Sequence, residues 1–282
     1  MDGSPDILDQ IAAARAKGEP FAVATVVRTM SLTAAKAGAK AIVTSDGRMT
    51  DGWIGGGCAR GAVLKTARDC LMDGKPRLIS VQPPDALSEA GHQSGETKNG
   101  TLYARNMCAS QGTMDIFIEP FLLKPELLIC GASPVAVALA DLAPRIGYRT
   151  IVVADAADHW RFAASGNFAA SIDEITPSTA ERYVVVASQG GGDGFNLQAA
   201  MSISARYVSF VGSHRKVTKL KEALIAKGVD AQAFDRLHAP AGLDIGSVTP
   251  EEIAIAILGE MTSVRRRGSA TAGPDAVARS AA

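Results

Sequence analysis

The segment 127–136 (LLICGASPVA) constrains the fold more than any other part of the chain. Four consecutive apolar residues suit a strand buried on both faces, and Gly131 breaks the run at once. Ser133 and Pro134 then open an apolar segment at 133–146, where a proline at the first helical position is favoured. A buried strand, a glycine turn and a helix in immediate succession are the opening of a parallel α/β unit. The residues downstream repeat that alternation. Strands are expected at 150–154, 183–187 and 207–211, and helices at 194–203 and 214–227. A last helix begins at Thr249-Pro250-Glu251-Glu252, with an N-cap, a proline at N1 and a glutamate at N3, and should run to about Arg265. Arg265, Arg266 and Arg267 then suit the negative end of its dipole. Residues 155–182 carry no clear pattern.

The texture before residue 120 is different. A short amphipathic helix is expected at 5–17, and strands at 21–28 and 39–45, the second closed by Asp46-Gly47. Gly55, Gly56, Gly57 and Cys58 lead into a helix with apolar positions at Val63, Leu64, Ala67 and Leu71. Strands fit at 77–81, 101–105 and 113–119, with 83–100 read as a polar loop. The proline-flanked run 120–125 (PFLLKP) separates the halves. The expected fold class is α/β: a mixed α+β domain over 1–122, then a Rossmann-like, doubly wound parallel-sheet domain over 123–267. Residues 268–282 (GSATAGPDAVARSAA) have no apolar face and are expected to form a disordered tail.

A chain of 282 residues accommodates two such domains. Lys and Arg together number 29, as do Asp and Glu, which argues against broad electrostatic binding to nucleic acid or an anionic membrane. Aromatics at 5% are too few for a single-strand stacking platform. No run approaches the ~18 apolar residues of a membrane span, since the best candidate, 135–143, contains Asp141. The acidic N-terminus lacks the apolar core of a signal peptide. Four cysteines with no C-x-x-C spacing suggest neither a disulfide framework nor a zinc site. The expected compartment is the cytoplasm.

Several loops could carry chemistry. Gly131 fits the tight turn of a dinucleotide fingerprint, and Ala136 its close helix packing. Ser133 replaces the middle glycine, though its hydroxyl can still reach a phosphate. Ala132, Ser133, Pro134 and Val135 would then line an anion site at the helix N-terminus. Asp155, 24 residues after Gly131, is near the spacing of a ribose-binding carboxylate. The alternative is a Rossmann-like domain that keeps the turn and binds nothing. Gly212, Ser213, His214, Arg215 and Lys216 sit at another strand end and suit a phosphate, against the alternative of a solvated basic helix start. Cys58, at a helix start behind three glycines, would have a lowered thiol pKa and could act as nucleophile, sulfur carrier or soft-metal ligand. Cys108, in a loop between two strands, could share its site, and both could equally be small apolar residues. Cys70 and Cys130 fall in buried patterns and read as structural. The loop 240–246 could line the crevice or merely dock the last helix, the position of 189–194 after a strand favours a role at the crevice although its composition is uninformative, and His92, His159 and His238 show no convincing partner.

Together these residues resemble the XdhC/CoxI family of molybdoenzyme maturation proteins. The resemblance rests on AKAGAKAIV (35–43), DGWIGGGC (51–58), NMCASQGTMDIFIEP (106–120), GASPVAVALADLA (131–143), FVGSHRK (210–216) and PAGLDIGSVTPEEIAIAI (240–257). It covers roughly 20–267, and the first half looks closest to the CoxF-type members associated with molybdenum–copper CO dehydrogenase. The resemblance implies a maturation chaperone that binds the molybdenum cofactor, here in its dinucleotide form, and aids its sulfuration or insertion. The implied partners are an apo-molybdoenzyme of the xanthine oxidase class and other maturation proteins, and a homo-oligomer is expected. The family's two cysteine loops correspond to Cys58 and Cys108. Arg60 stands where the family often has an acidic residue, and Ser133-Pro134 where many members have a fuller glycine fingerprint. The residues themselves leave open FAD or NAD(P) as the nucleotide, and with it a thiol-assisted oxidoreductase.

Overall fold

A computed structural model of the chain describes residues 6–31, 33–107, 111–163 and 166–267, and the backbone alone at Cys58. The chain forms two compact units, Met1–Leu123 and Lys124–Ala282. The tail expected at 268–282 lies outside the described residues.

In the first unit, helix α1 (Ile7–Ala16) precedes strands β1 (Phe21–Met30), β2 (Lys40–Thr44) and β3 (Met49–Gly52). Helix α2 (Gly57–Asp73), β4 (Arg77–Gln82), α3 (Pro84–Glu89), β5 (Thr97–Lys98), β6 (Thr101–Arg105) and β7 (Thr113–Phe121) follow. The sheet order is β3-β2-β1-β7-β4-β6-β5. Every pairing is antiparallel except β4 with β6. The buried stripe of α2 is Ala59, Val63, Ala67 and Cys70, spaced for one helix face. It packs on alternate residues of the central strands, including Ala24 and Val26 of β1 and Ile116 and Ile118 of β7. Leu64 and Leu71 only flank this core. The helix ends at Gly74, whose left-handed φ of 72° lets its N–H reach the Cys70 carbonyl at 2.8 Å. Two readings need correction. The loop expected at 83–100 contains α3 and β5, and β3 was not foreseen, because Met-Thr-Asp-Gly has almost no β-branched character and pairs only at the sheet edge.

The second unit contains β8 (Glu126–Cys130), α4 (Pro134–Leu142), β9 (Arg149–Val153), β10 (Phe168–Ala169) and β11 (Arg182–Val186). It continues with α5 (Asp193–Ser202), β12 (Tyr207–Phe210), α6 (His214–Ala226), β13 (Leu237–His238) and α7 (Pro250–Arg267). The six strands are all parallel in the order β10-β9-β8-β11-β12-β13. Numbered from the first strand of this unit, that is 3-2-1-4-5-6, the doubly wound Rossmann order. Strand alternation divides the core. Leu127, Ile129, Val185 and Tyr207 face α4 and α7, whereas Leu128, Cys130, Val184 and Phe210 face α5 and α6. The unassigned stretch 155–182 holds two short 3-10 helices, Ala156–Arg161 and Ile172–Glu174, and the two-residue edge strand β10. The expected helix 133–146 turns 3-10 at Ala143–Ile146. The cap of α7 forms as foreseen, with the Glu252 N–H donating to Thr249 Oγ1 at 3.3 Å and the Thr249 N–H to Glu252 Oε2 at 3.0 Å. Its C-terminal carbonyls at Val264 and Arg265 accept from Arg206, while the Arg265 guanidinium lies over the Tyr148 ring.

No helix among the described residues is long and apolar enough to cross a membrane. Each unit carries one of the two tryptophans, Trp53 and Trp160, 55% and 81% exposed.

Candidate nucleotide crevice at the sheet switch point

Strand order reverses between β8 and β11, and the carboxyl ends of both strands open there into a crevice. Gly131 makes the turn out of β8 at a φ of 107°. A Cβ at this position would lie 2.4 Å from Ser188 Cα and 2.8 Å from the Ala187 carbonyl oxygen, so only glycine fits between the two strand ends. The Gly131 N–H donates to the Val153 carbonyl at 2.9 Å and is not available to a ligand. Ser133 caps α4, its hydroxyl oxygen accepting the Ala136 N–H at 3.2 Å. Pro134 has no N–H. The donors this turn can offer an anion therefore include the N–H groups of Ala132, Ser133 and Val135 and the hydroxyl hydrogen of Ser133.

Two cavities meet at this turn. The first, about 490 Å³, is bounded by Gly131, Ala132 and Ser133, by Asp155, and by the Ser188–Gln189 turn after β11. Asp155 sits just past β9 and is exposed. Asp158 and Arg161, from the 3-10 helix behind it, line the same space and lie 3.7 Å apart. Phe195 and Asn196 of α5 close the far wall. The second cavity, about 340 Å³, shares Ser133 and Gln189 with the first. Its other walls are Pro134, Val135, Val211, Val248 and Ile253, with Gly212 and Lys216 at one side. Both volumes lie in the range of small-molecule sites.

The cluster expected at 212–216 is split by the structure. Ser213 caps α6, accepting the Lys216 N–H at 3.4 Å. His214 and Arg215 are exposed and line neither cavity. Lys216 reaches the second cavity, but its ammonium is paired at 2.5 Å with Asp193. Burial pushes the Asp193 carboxyl up, and the bonds from Lys216, Ser188 and the Gly190 N–H outweigh this and hold it below the usual aspartate value. Gln189, Gly191 and Gly192 line the first cavity, where the position of the loop 189–194 puts them, but the sequence reading did not single out Asp193. The available signal was an acidic residue in the first turn of a helix that follows a strand. His238, expected to be partnerless, has its Nδ1 2.7 Å from Glu260 Oε1. His159 stacks on Phe168, and His92 on Tyr103.

In the first unit, Gly55 has a φ of 109°, Gly56 caps α2 with no side-chain bond, and Gly57 and Cys58 are its first two residues. A Cβ at Gly56 or Gly57 would meet nothing within 4 Å, so the backbone there is open to approach. Cys108 lies outside the described residues. Asn106 anchors the start of that loop, its Nδ2 donating to the Gly112 carbonyl at 2.6 Å. Cys70 and Cys130 are fully buried, as expected of structural thiols.

Topology and the glycine turn define the second unit as a Rossmann domain. The family model of the XdhC Rossmann domain matches residues 127–261, and that of the XdhC and CoxI family matches residues 14–82. The chain belongs to the XdhC and CoxI family. It is 30% identical over 258 residues to the uncharacterized protein YqeB of Escherichia coli (strain K12), covering 87% of this chain and 44% of that one. It is 26% identical over 223 residues to a Bacillus subtilis (strain 168) protein described as a probable subunit of xanthine dehydrogenase, covering 71% of this chain and 64% of that one. The chain thus spans less than two thirds of either relative. A crystal structure described as a xanthine dehydrogenase from Bacillus halodurans aligns with a TM-score of 0.44 at 16% identity, over 95% of this chain and 98% of that one.

Proposed function

We propose that this chain is an accessory factor in the maturation of a xanthine-dehydrogenase-class molybdoenzyme. Its crevice would hold a dinucleotide form of the molybdenum cofactor as cargo. The observation that carries this reading is the pair of cavities meeting at Ser133, one on each side of the glycine turn. A dinucleotide has two bulky ends joined by a pyrophosphate, which matches two compartments joined at a helix N-terminus. Asp155 would accept from a ribose hydroxyl in the first compartment. The N–H groups of Ser133 and Val135 would donate to the pyrophosphate. Cys58 and Cys108 of the first unit would act in sulfur handling or transient metal ligation. Family membership and the B. subtilis relative's description support the link to xanthine dehydrogenase. CO dehydrogenase is the proposed client within that class, on the CoxF-like texture of the first unit.

The apolar second compartment would also suit a nicotinamide or flavin ring, and that supports a second reading as an NAD(P)- or FAD-binding oxidoreductase. Mass spectrometry and absorption spectroscopy of ligand released from protein purified beside its natural partners separate the two. A pterin dinucleotide is expected. A flavin or nicotinamide selects the oxidoreductase, and no retained ligand argues against both.

A further inference from the structure

The crevice has a neighbour on the outer side of α4. Val137 and Leu142 of α4, Ile255 of α7 and Trp160 of the 3-10 helix Ala156–Arg161 wall an open groove of about 510 Å³. Two further residues of the groove belong to the crevice as well. Pro134 also lines the second compartment, and Arg161 also lines the first. Whatever fills the groove therefore lies against residues that border both compartments.

The groove is apolar and uncovered, with Trp160 81% and Ile255 55% exposed. An indole left in water beside an aliphatic side chain is the composition of an anchor point for another protein, where aromatic residues carry most of the binding energy. Two carboxylates stand in the same groove, Asp141 of α4 and Glu251 of α7. Neither makes an ion pair with a described residue. Glu251 suits the first turn of its helix, but Asp141 lies in the last turn of α4, where the dipole disfavours a negative charge. Arg161 does not offset them, because it faces Asp158 at 3.7 Å.

Uncompensated negative charge on an apolar surface selects the occupant. An acidic segment or an anionic membrane is repelled. A second copy docked about a two-fold axis would set the patch against itself and bring its carboxylates together. A segment that carries an arginine or lysine beside an apolar side chain satisfies both features, since its cation can meet the carboxylates or the indole face while its apolar neighbour covers Ile255.

We infer that this groove is the docking site for the apo-enzyme, which enters it with a basic, apolar segment. The inference rests on the proposed maturation role and deepens it by naming the surface that receives the client. Docking there holds the client against the rim of the crevice, so cargo passes to it over a short distance.

The test is biolayer interferometry of the full chain against apo-CO dehydrogenase and apo-xanthine dehydrogenase, each produced from the same source in cells starved of molybdate. The wild type should bind one of them. Asp141→Lys/Glu251→Lys should weaken that binding by about 30-fold or more, and Trp160→Ala by about tenfold or more. Asp173→Lys/Glu222→Lys makes the same change in net charge at exposed positions outside the groove and should stay within about threefold of the wild type. Should the first double variant fail to fold by circular dichroism, Trp160→Ala decides alone. A photo-cross-linker at position 160 should join the enzyme through a peptide that carries an arginine or lysine beside an apolar residue. Cross-links to a second copy of this chain, or groove variants that bind like the wild type, overturn the docking site and leave the maturation role standing. If the wild type binds neither enzyme, the maturation reading falls and the docking site falls with it.

Discussion

The Tyr207 hydroxyl donates to Glu260 Oε2 at 2.6 Å, across the face of the parallel sheet that α7 covers. Glu260 also accepts the Gly242 N–H at 2.9 Å and stands 2.7 Å from His238 Nδ1, which must carry the proton because a carboxylate only accepts. One nearly buried carboxylate thus joins β12, β13, the loop before α7 and α7 itself. Glu260→Ala leaves three donors without an acceptor and should cost about 3 kcal/mol in denaturant unfolding.

The same carboxylate makes stability pH-dependent. Burial raises its pKa, and the bonds from His238, Tyr207 and Gly242 outweigh burial, so it sits below the ordinary glutamate value of 4.5. A folded-state pKa below the unfolded one means the contribution is complete above the unfolded value and lost as pH falls through the folded one. The stability gap between wild type and Glu260→Gln should therefore narrow as pH falls below about 4.5. A gap that stays level down to acid denaturation contradicts the assignment.

Two glycines should respond in opposite directions to alanine. Gly131→Ala forces a side chain into Ser188 at a positive φ and should destabilise the second unit by about 2–4 kcal/mol. Gly61 is exposed inside α2, with nothing within 4 Å of its would-be Cβ. Gly61→Ala should stabilise the first unit by about 0.5–1 kcal/mol. Thermal unfolding of both variants reads the two signs.

Asp155 is exposed beside the first cavity, so its loss should spare the fold and harm binding. Removing a charged acceptor of a ribose hydroxyl should weaken the dinucleotide by about 10- to 100-fold in Asp155→Ala, with the melting temperature of the free protein unchanged. Unchanged affinity would remove Asp155 from the site.

Thiol chemistry divides the four cysteines. Burial raises the Cys70 thiol and pushes Cys130 up to about 12, which suppresses the reactive thiolate in both. Iodoacetamide at pH 8 should leave these two unmodified in native protein and alkylate them after unfolding, as peptide mass spectrometry would show. Cys58→Ala and Cys108→Ala should each lower activity of the matured partner enzyme. Full activity in both would remove the proposed thiol role.

Legibility in the sequence followed the length of each apolar signal. After their first, charged residue strands β8 and β11 are continuous apolar runs, and α7 carries its cap in four adjacent residues, so all three could be read directly. The helix α3 is only six residues, and β5 and β10 are two each, too short for any periodicity to register. At the site, Gly131, Ser133 and Asp155 were legible because the fingerprint fixes their spacing along the chain. Asp193 with Lys216, and His238 with Glu260, are partners made by folding. Nothing in the local sequence marks one for the other, and a charged residue read alone looks free. That is why 214–216 read as a basic cluster, although its innermost lysine is already neutralised.

The separation of Trp53 and Trp160 into different units gives the chain a built-in pair of optical reporters. Each half holds a single solvent-exposed indole, so replacing either tryptophan by phenylalanine leaves the fluorescence of one unit alone. Trp160 is adjacent to Arg161, which lines the first cavity, so its emission can also report ligand entry while Trp53 provides the internal control.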